Sequence, residues 1–244
     1  MMSSQSSINS LQVDSLTCVR DDRLLFEGLS FSLQAGSVLQ IAGPNGCGKT
    51  SFLKILAGLL LSESGSIYWC GTSVLKDSFS FRNALTYLGH APGIKLALSP
   101  YDNLLWLCAI NKLERKDKID AALKRVGLDG YEHLPCYQLS AGQRRRVTLA
   151  RLLLDDSPLW VLDEPFSSID KEGVQFLEGC IAEKAKSGGI IVLTTHHSLN
   201  IPGLTVECLQ IDQINVSGPA GSELTSSEAG DSGHGDLSHG RDQD

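Results

Sequence analysis

Three short, nearly continuous apolar runs stand out along the chain, at residues 38–42, 159–162 and 190–193. Runs of that length without alternation read as strands buried on both faces. The pattern near the start differs. Residues 11–18 alternate loosely, and residues 24–26 and 29–33 form short apolar stretches, which predicts further strands around a charged turn, Arg20-Asp21-Asp22-Arg23. Residues 66–70, with Ile67, Tyr68 and Trp69, predict a strand that turns at Gly71. A short strand at 86–88 runs into Gly89-His90-Ala91-Pro92-Gly93, a loop by composition. Helical spacing follows residue 49, where Phe52, Leu53, Leu56, Leu59 and Leu60 recur at three- and four-residue intervals. It dominates residues 100–154, with breaks at 127–130 and at Pro135. Residues 170–186 read as an amphipathic helix with Val174, Leu177 and Ile181 inward, stopped by Gly188 and Gly189. Residues 205–211 read as a last edge strand. Strands alternating with helices predict an α/β fold.

Composition changes this picture only at the ends. The chain has 244 residues, enough to bury a sizeable core, and a net charge of −7. Residues 217–244 hold six carboxylates against Arg241 alone, a net of −5, so the body is close to neutral. No basic face speaks for nucleic acid. The tail is rich in Ser, Gly and Asp and poor in apolar residues, so it is expected to be disordered, as is the start, residues 1–10. The seven cysteines are scattered with no C-x-x-C pair, which points to a reducing compartment rather than a disulfide scaffold. No apolar run approaches the length of a membrane span. The opening segment, MMSSQSSINS, lacks the basic and apolar regions of a secretory signal and the arginines of a transit peptide.

The chemistry gathers where the apolar runs end. After residues 38–42 comes Gly43-Pro44-Asn45-Gly46-Cys47-Gly48-Lys49-Thr50-Ser51, which fits G-x-x-x-x-G-K-[ST] between a strand and a helix. Glycines let successive N–H groups converge on one anion, and the helix start adds its positive end. Lys49 is placed to reach the β- and γ-phosphates of a nucleotide, and the Thr50 hydroxyl to ligate Mg²⁺. A further expectation concerns Cys47: beside a helix N-terminus its thiol should be reactive, and bound ATP should protect it from alkylation. The 159–162 run ends in Asp163-Glu164-Pro165. Asp163 is placed to hold Mg²⁺, and Glu164 to act as general base on the attacking water.

Leu139-Ser140-Ala141-Gly142-Gln143, ahead of Arg144, Arg145 and Arg146, resembles the LSGGQ signature of the ABC-type ATPases. The resemblance covers most of residues 11–211. It implies an ABC-type P-loop NTPase with a mixed sheet core, an antiparallel β subdomain and a helical subdomain. It implies one ATPase domain over 11–216, with the helical lobe inserted at about 93–154. In that family the signature of one protomer faces the phosphate loop of a second copy, with ATP at the seam. Ser140, Ala141, Gly142 and Gln143 would then act in trans, although Ser140 also suits a cap of its own helix. Ala141 replaces the usual glycine. Phe166-Ser167-Ser168-Ile169-Asp170 resembles the D-loop. Thr194-Thr195-His196 resembles the switch histidine, with His196 preferred over His197 because it directly follows the threonine.

Two positions depart from the family pattern. His90 stands where a glutamine near Mg²⁺ and the water is usual. Arg20 stands where an aromatic residue usually stacks on adenine, and its guanidinium plane can also stack on a base. The segment from Gly89 to Lys95, together with Leu98, Pro100, Asp102-Asn103-Leu104, Arg20–Arg23 and Gly28-Leu29-Ser30-Phe31, is similar to the haem-exporter ATP-binding subunits of cytochrome c maturation, the CcmA type. That resemblance implies ATP and Mg²⁺ as ligands, membrane-embedded permease subunits as partners and, indirectly, a haem chaperone. It places the chain peripherally on an inner membrane, on the bacterial-cytoplasmic or mitochondrial-matrix face. Leu98, Tyr101 and Leu105 are candidates for the groove that receives a membrane subunit. Two alternatives remain open from the residues: an ATPase of a soluble assembly machine, such as one building iron–sulfur clusters, and a nucleotide-gated adaptor that does not hydrolyse.

Overall fold

The computed structural model describes residues 9–110, 115–201 and 203–212. The expected acidic tail and most of the expected flexible start lie outside them.

The chain begins with a hairpin. β1 (Ser10–Arg20) pairs antiparallel with β2 (Arg23–Gln34), and Arg20 opposes Arg23 across a two-residue turn. Asp21 and Asp22 both have positive φ, 49° and 58°, the backbone that matches the twist of a tight hairpin. The two short strands expected at 24–26 and 29–33 are one strand. Gly28, at φ 65°, lies in a register shift between them, so the hydrophobic pattern breaks while the ladder continues. β4 (Ser64–Trp69) and β5 (Thr72–Ser73) complete a four-stranded antiparallel sheet in the order β2-β1-β4-β5.

The second sheet has the order β6-β7-β8-β3-β9, and its pairs are parallel. It comprises β3 (Val38–Ala42), β6 (Leu85–Leu88), β7 (Leu159–Asp163), β8 (Ile190–Thr194) and β9 (Val206–Gln210). Each parallel strand must be reached by a crossover, and helices supply it for β6, β7 and β8. The side-chain period of two then divides the apolar runs between two cores. Leu159, Val161, Ile190 and Val192 pack with the antiparallel sheet and with α1 (Lys49–Leu56). Trp160, Leu162, Ile191 and Leu193 pack with the helices on the other face. Those helices are α3 (Pro100–Ile110), α4 (Ile119–Arg125), α5 (Ala141–Leu154) and α6 (Lys171–Lys186). Leu177 and Ile181 of α6 are fully buried, and Val174 packs against them from the rim.

Two local readings are corrected. The helix after the phosphate loop stops at Leu56 rather than reaching Leu60. Gly58 adopts φ 68°, and the Leu59 N–H turns back to the Lys54 carbonyl, so the left-handed cap ends the helix despite the apolar spacing. Beyond the cap, Leu59 and Leu61 are exposed, at 62% and 83%. A short helix the pattern did not announce, α2 (Ser78–Asn83), is capped by Asp77, whose carboxylate accepts from the Ser80 N–H. Among the described residues no helix is long and apolar enough to cross a membrane.

Candidate nucleotide site

The phosphate loop is shaped by its glycines and by what lies behind it. Gly43 has φ 146°, and a Cβ there would lie 2.3 Å from the Ile211 carbonyl oxygen and 2.7 Å from Cys47 Sγ. Gly48, at φ 106°, caps α1, and a Cβ would press on Leu25 and Phe26. Any side chain at either position would break the curl. Lys49 folds over the loop, its Nζ donating to the carbonyls of Gly43 at 2.7 Å and Pro44 at 3.0 Å. Cys47 is 1% exposed, packed under the loop with the Phe52 core. The expectation of a reactive thiol is therefore corrected: the sulfur fills the loop's floor and faces no solvent.

The ends of β7 and β8 bring the remaining groups together. Asp163 is 1% exposed. Its Oδ1 accepts from the Thr194 hydroxyl at 2.8 Å and from the Thr50 hydroxyl at 3.3 Å. Its Oδ2 is buried and has no hydrogen-bond partner among the described residues. A buried carboxylate oxygen left over beside a threonine hydroxyl suits a hard divalent cation. Nearby, burial and the Asp163 charge push the Tyr87 hydroxyl up to about 12, so it stays neutral.

Glu164 sits at φ 48°, a left-handed conformation that costs a residue with a side chain on the order of 1–3 kcal/mol. Both sides of its peptide backbone are held. The N–H donates to Thr194 Oγ1 at 2.9 Å, and the carbonyl accepts from Arg145 Nη2 at 2.7 Å. Its carboxylate lies 3.5 Å from His196 Nε2. His197 turns away: its Nε2 meets Glu178 at 3.3 Å and its ring packs on Phe166. Of the two histidines, His196 lines the cleft beside Glu164 and His197 does not.

These groups open into one cleft of about 490 Å³, lined by Asn45, Gly46, Gly48, Lys49, Thr50, Ser51, His90, Asp163, Glu164 and His196, with Leu25 and Ser167. Residues as far apart in sequence as Asn45 and His196 meet there because β3, β7 and β8 run parallel and end on the same side. The lining combines a phosphate-binding loop, the buried Asp163 carboxylate and a carboxylate–imidazole pair.

An ABC transporter family model matches residues 26–167, more than half the chain. The chain belongs to the ABC transporter family. Among curated ABC relatives, it is 50% identical over 193 residues to the cytochrome c biogenesis ATP-binding export protein CcmA of Hahella chejuensis, covering 79% of this chain and 92% of that one. It is 52% identical to the protein of the same name from Pseudomonas putida strain KT2440, over 78% of this chain and 90% of the relative. The fold matches a solved ABC transporter ATP-binding protein from Pyrococcus furiosus at a TM-score of 0.71 and 26% identity, over 83% of this chain and 97% of that one. As an ABC ATP-binding chain, it is an ATPase.

The ABC signature lies elsewhere in the chain. Ser140, Ala141, Gly142, Gln143 and Asp170 do not line the cleft. Ser140 caps α5 in a reciprocal box: its hydroxyl accepts from the Gln143 N–H, and Gln143 Oε1 accepts from the Ser140 N–H. Ala141 is the first helical residue of α5 and is absent from the positive-φ positions, so alanine fits where the family's glycine is usual. Asp170 caps α6 through the Gly173 N–H and pairs with Arg146 at 2.6 Å. Arg20 also stands apart. It flanks the exposed hairpin turn, and Leu25, five residues on, supplies the cleft's apolar wall.

Sequence reasoning passed over Arg145, Thr194, Leu25 and Ser167. For Arg145 a signal exists. It shares a helical stripe with Thr148, Leu149 and Leu152, all buried, at spacings of three, four and seven.

Proposed function

We propose that this chain is the ATP-hydrolysing subunit of a membrane ABC complex that drives haem delivery, through release of a haem-loaded chaperone, in cytochrome c biogenesis. The observation that carries the hydrolytic half is the cleft itself, with a phosphate loop, an unpartnered Asp163 oxygen and the Glu164–His196 pair. The similarity to CcmA-type export proteins carries the biological half and speaks for a membrane export system over a soluble assembly machine. These relatives are bacterial, which favours the cytoplasmic face of an inner membrane over the mitochondrial matrix.

The residues divide the work as follows. The loop N–H groups and Lys49 hold the β- and γ-phosphates. Thr50 and Asp163 hold Mg²⁺, which when bound neutralises phosphate charge. Glu164 accepts the proton of the attacking water, and its left-handed turn aims the carboxylate into the cleft. The His196 ring, against Glu164, offers an N–H to the γ-phosphate. His90, just past the end of β6 and lining the same cleft, can hydrogen-bond the water. Ser140 and the amide groups at the start of α5, together with Asp170, complete the site on a second copy of the chain. Closure of that dimer on ATP and its opening after hydrolysis move the membrane-embedded subunits.

The test is an affinity purification of Glu164→Gln from detergent-solubilised membranes in Mg-ATP, with haem absorbance read on the eluate. Recovery of multi-span partners with haem is the expected result. Recovery of soluble partners alone would overturn the haem assignment and leave the nucleotide site standing.

A further inference from the structure

Arg145 is 3% exposed, and a guanidinium is rarely taken out of water without full compensation. Its compensation comes from three carbonyls on two separate stretches of the site. Nη2 donates to Glu164 at 2.7 Å, Nε to Pro165 at 3.4 Å and Nη1 to Gly89 at 3.4 Å. The Gly89 carbonyl belongs to the peptide that leads into His90. One turn further along α5, the Thr148 hydroxyl donates to the Pro92 carbonyl at 2.7 Å, so the same helix grips the 89–92 loop twice. Glu164 is strained, and its peptide groups are held by Thr194 on one side and by Arg145 on the other, where the Ser167 N–H also donates to the carbonyl at 3.2 Å. One planar fork therefore spans the Glu164 backbone and the Gly89 peptide, which leaves the end of the neighbouring strand β6.

We propose that Arg145 is a positioning residue: its fork holds the Glu164 backbone in the left-handed turn and couples it to the His90 loop, so that hydrolysis rate, and not nucleotide affinity, depends on it. The inference rests on Glu164 as general base. A displacement of the 89–92 loop reaches Glu164 through one side chain, without passing through the phosphate loop.

The test measures Mg-ATP affinity, kcat and KM in the full chain for Arg145→Lys and Arg145→Gln, with Glu164→Gln as control and circular dichroism to verify folding. A lysine keeps the charge but cannot span three carbonyls. Displacing a catalytic group by about 1 Å costs on the order of 100-fold. The expected result is a loss of that order in kcat for both variants, with KM and affinity little changed. A role in charge or packing alone would be restored by lysine. Near-native kcat in folded Arg145→Lys overturns the proposal, as does a parallel loss of affinity and kcat. If Arg145→Gln fails to fold, Arg145→Lys decides the matter. If Glu164→Gln hydrolyses at the native rate, the general-base reading falls and this inference falls with it. If Glu164→Gln is inactive while Arg145→Lys is fully active, only the positioning inference falls.

Discussion

The phosphate-loop region and the signature region use similar materials, glycines and hydroxyls at a helix start, and end in opposite states. Around the loop, polar groups are left over. Asp163 keeps a buried oxygen without a partner among the described residues, and Lys49, Glu164, His90 and His196 line a shared cleft. Around the signature, polar groups are satisfied within the chain. Ser140 and Gln143 cap each other's backbone, and Asp170 is taken by Gly173 and Arg146. The first region is poised for a small ligand. The second is a finished helix start that can add contacts without rearranging, which suits a surface closing over the cleft of another copy.

The comparison breaks most visibly at Glu164. Glu164→Gln should lower kcat by about 10²- to 10⁴-fold while nucleotide affinity is kept, and light scattering should find a dimer in Mg-ATP. A monomer under those conditions would show that the signature does not act in trans. Next in size is Ser140→Ala. Losing the cap should destabilise the chain by about 1 kcal/mol, and ATP turnover should fall while binding of nucleotide to the monomer is unchanged. Weaker monomer binding would put Ser140 inside its own chain's cleft. Labelling with iodoacetamide, read by mass spectrometry, should modify the exposed Cys208 well before Cys47, at rates that ATP leaves alone. Prompt labelling of Cys47 would mean that the loop opens.

The smallest expected effect concerns pH. The Gly173 N–H, and with it Arg146, holds the Asp170 carboxyl below its ordinary value of 3.8. A depressed acid contributes stability that is complete above the unfolded value and is lost as pH falls through the folded one. Native protein and Asp170→Asn should therefore differ in melting temperature at neutral pH and converge in acid below that range. A gap that persists in acid would assign the difference to the cap's shape rather than its charge.

The same contrast explains what was legible in the chain. The phosphate loop and Asp163-Glu164 could be read directly because each is a local run whose chemistry follows from spacing at a strand end. The position of His196 next to Glu164 required the β7–β8 pairing, which sets Asp163 against Thr194. Arg144, Arg145 and Arg146 look alike as letters, yet successive helical residues point in different directions. Arg144 turns back to the Leu139 carbonyl, Arg145 goes inward and Arg146 reaches Asp170. The end of α1 was missed because Leu59 and Leu60 keep a helical rhythm that Gly58 overrides. Cys47 was misread because proximity to a helix start says nothing of which way a thiol points.

The Ile211 carbonyl lies directly behind Gly43, the Ile211 N–H bonds to Ala42, and β9 is the outer neighbour of β3. The back wall of the phosphate loop is thus made of chain synthesised roughly 170 residues after it. At about 5–20 residues per second, the loop waits on the order of ten to thirty seconds for its backing. During that interval the nascent chain carries the full nucleotide motif without the strand that seals it. ATP capture by the finished loop is therefore expected only after β9, the last strand among the described residues, has docked.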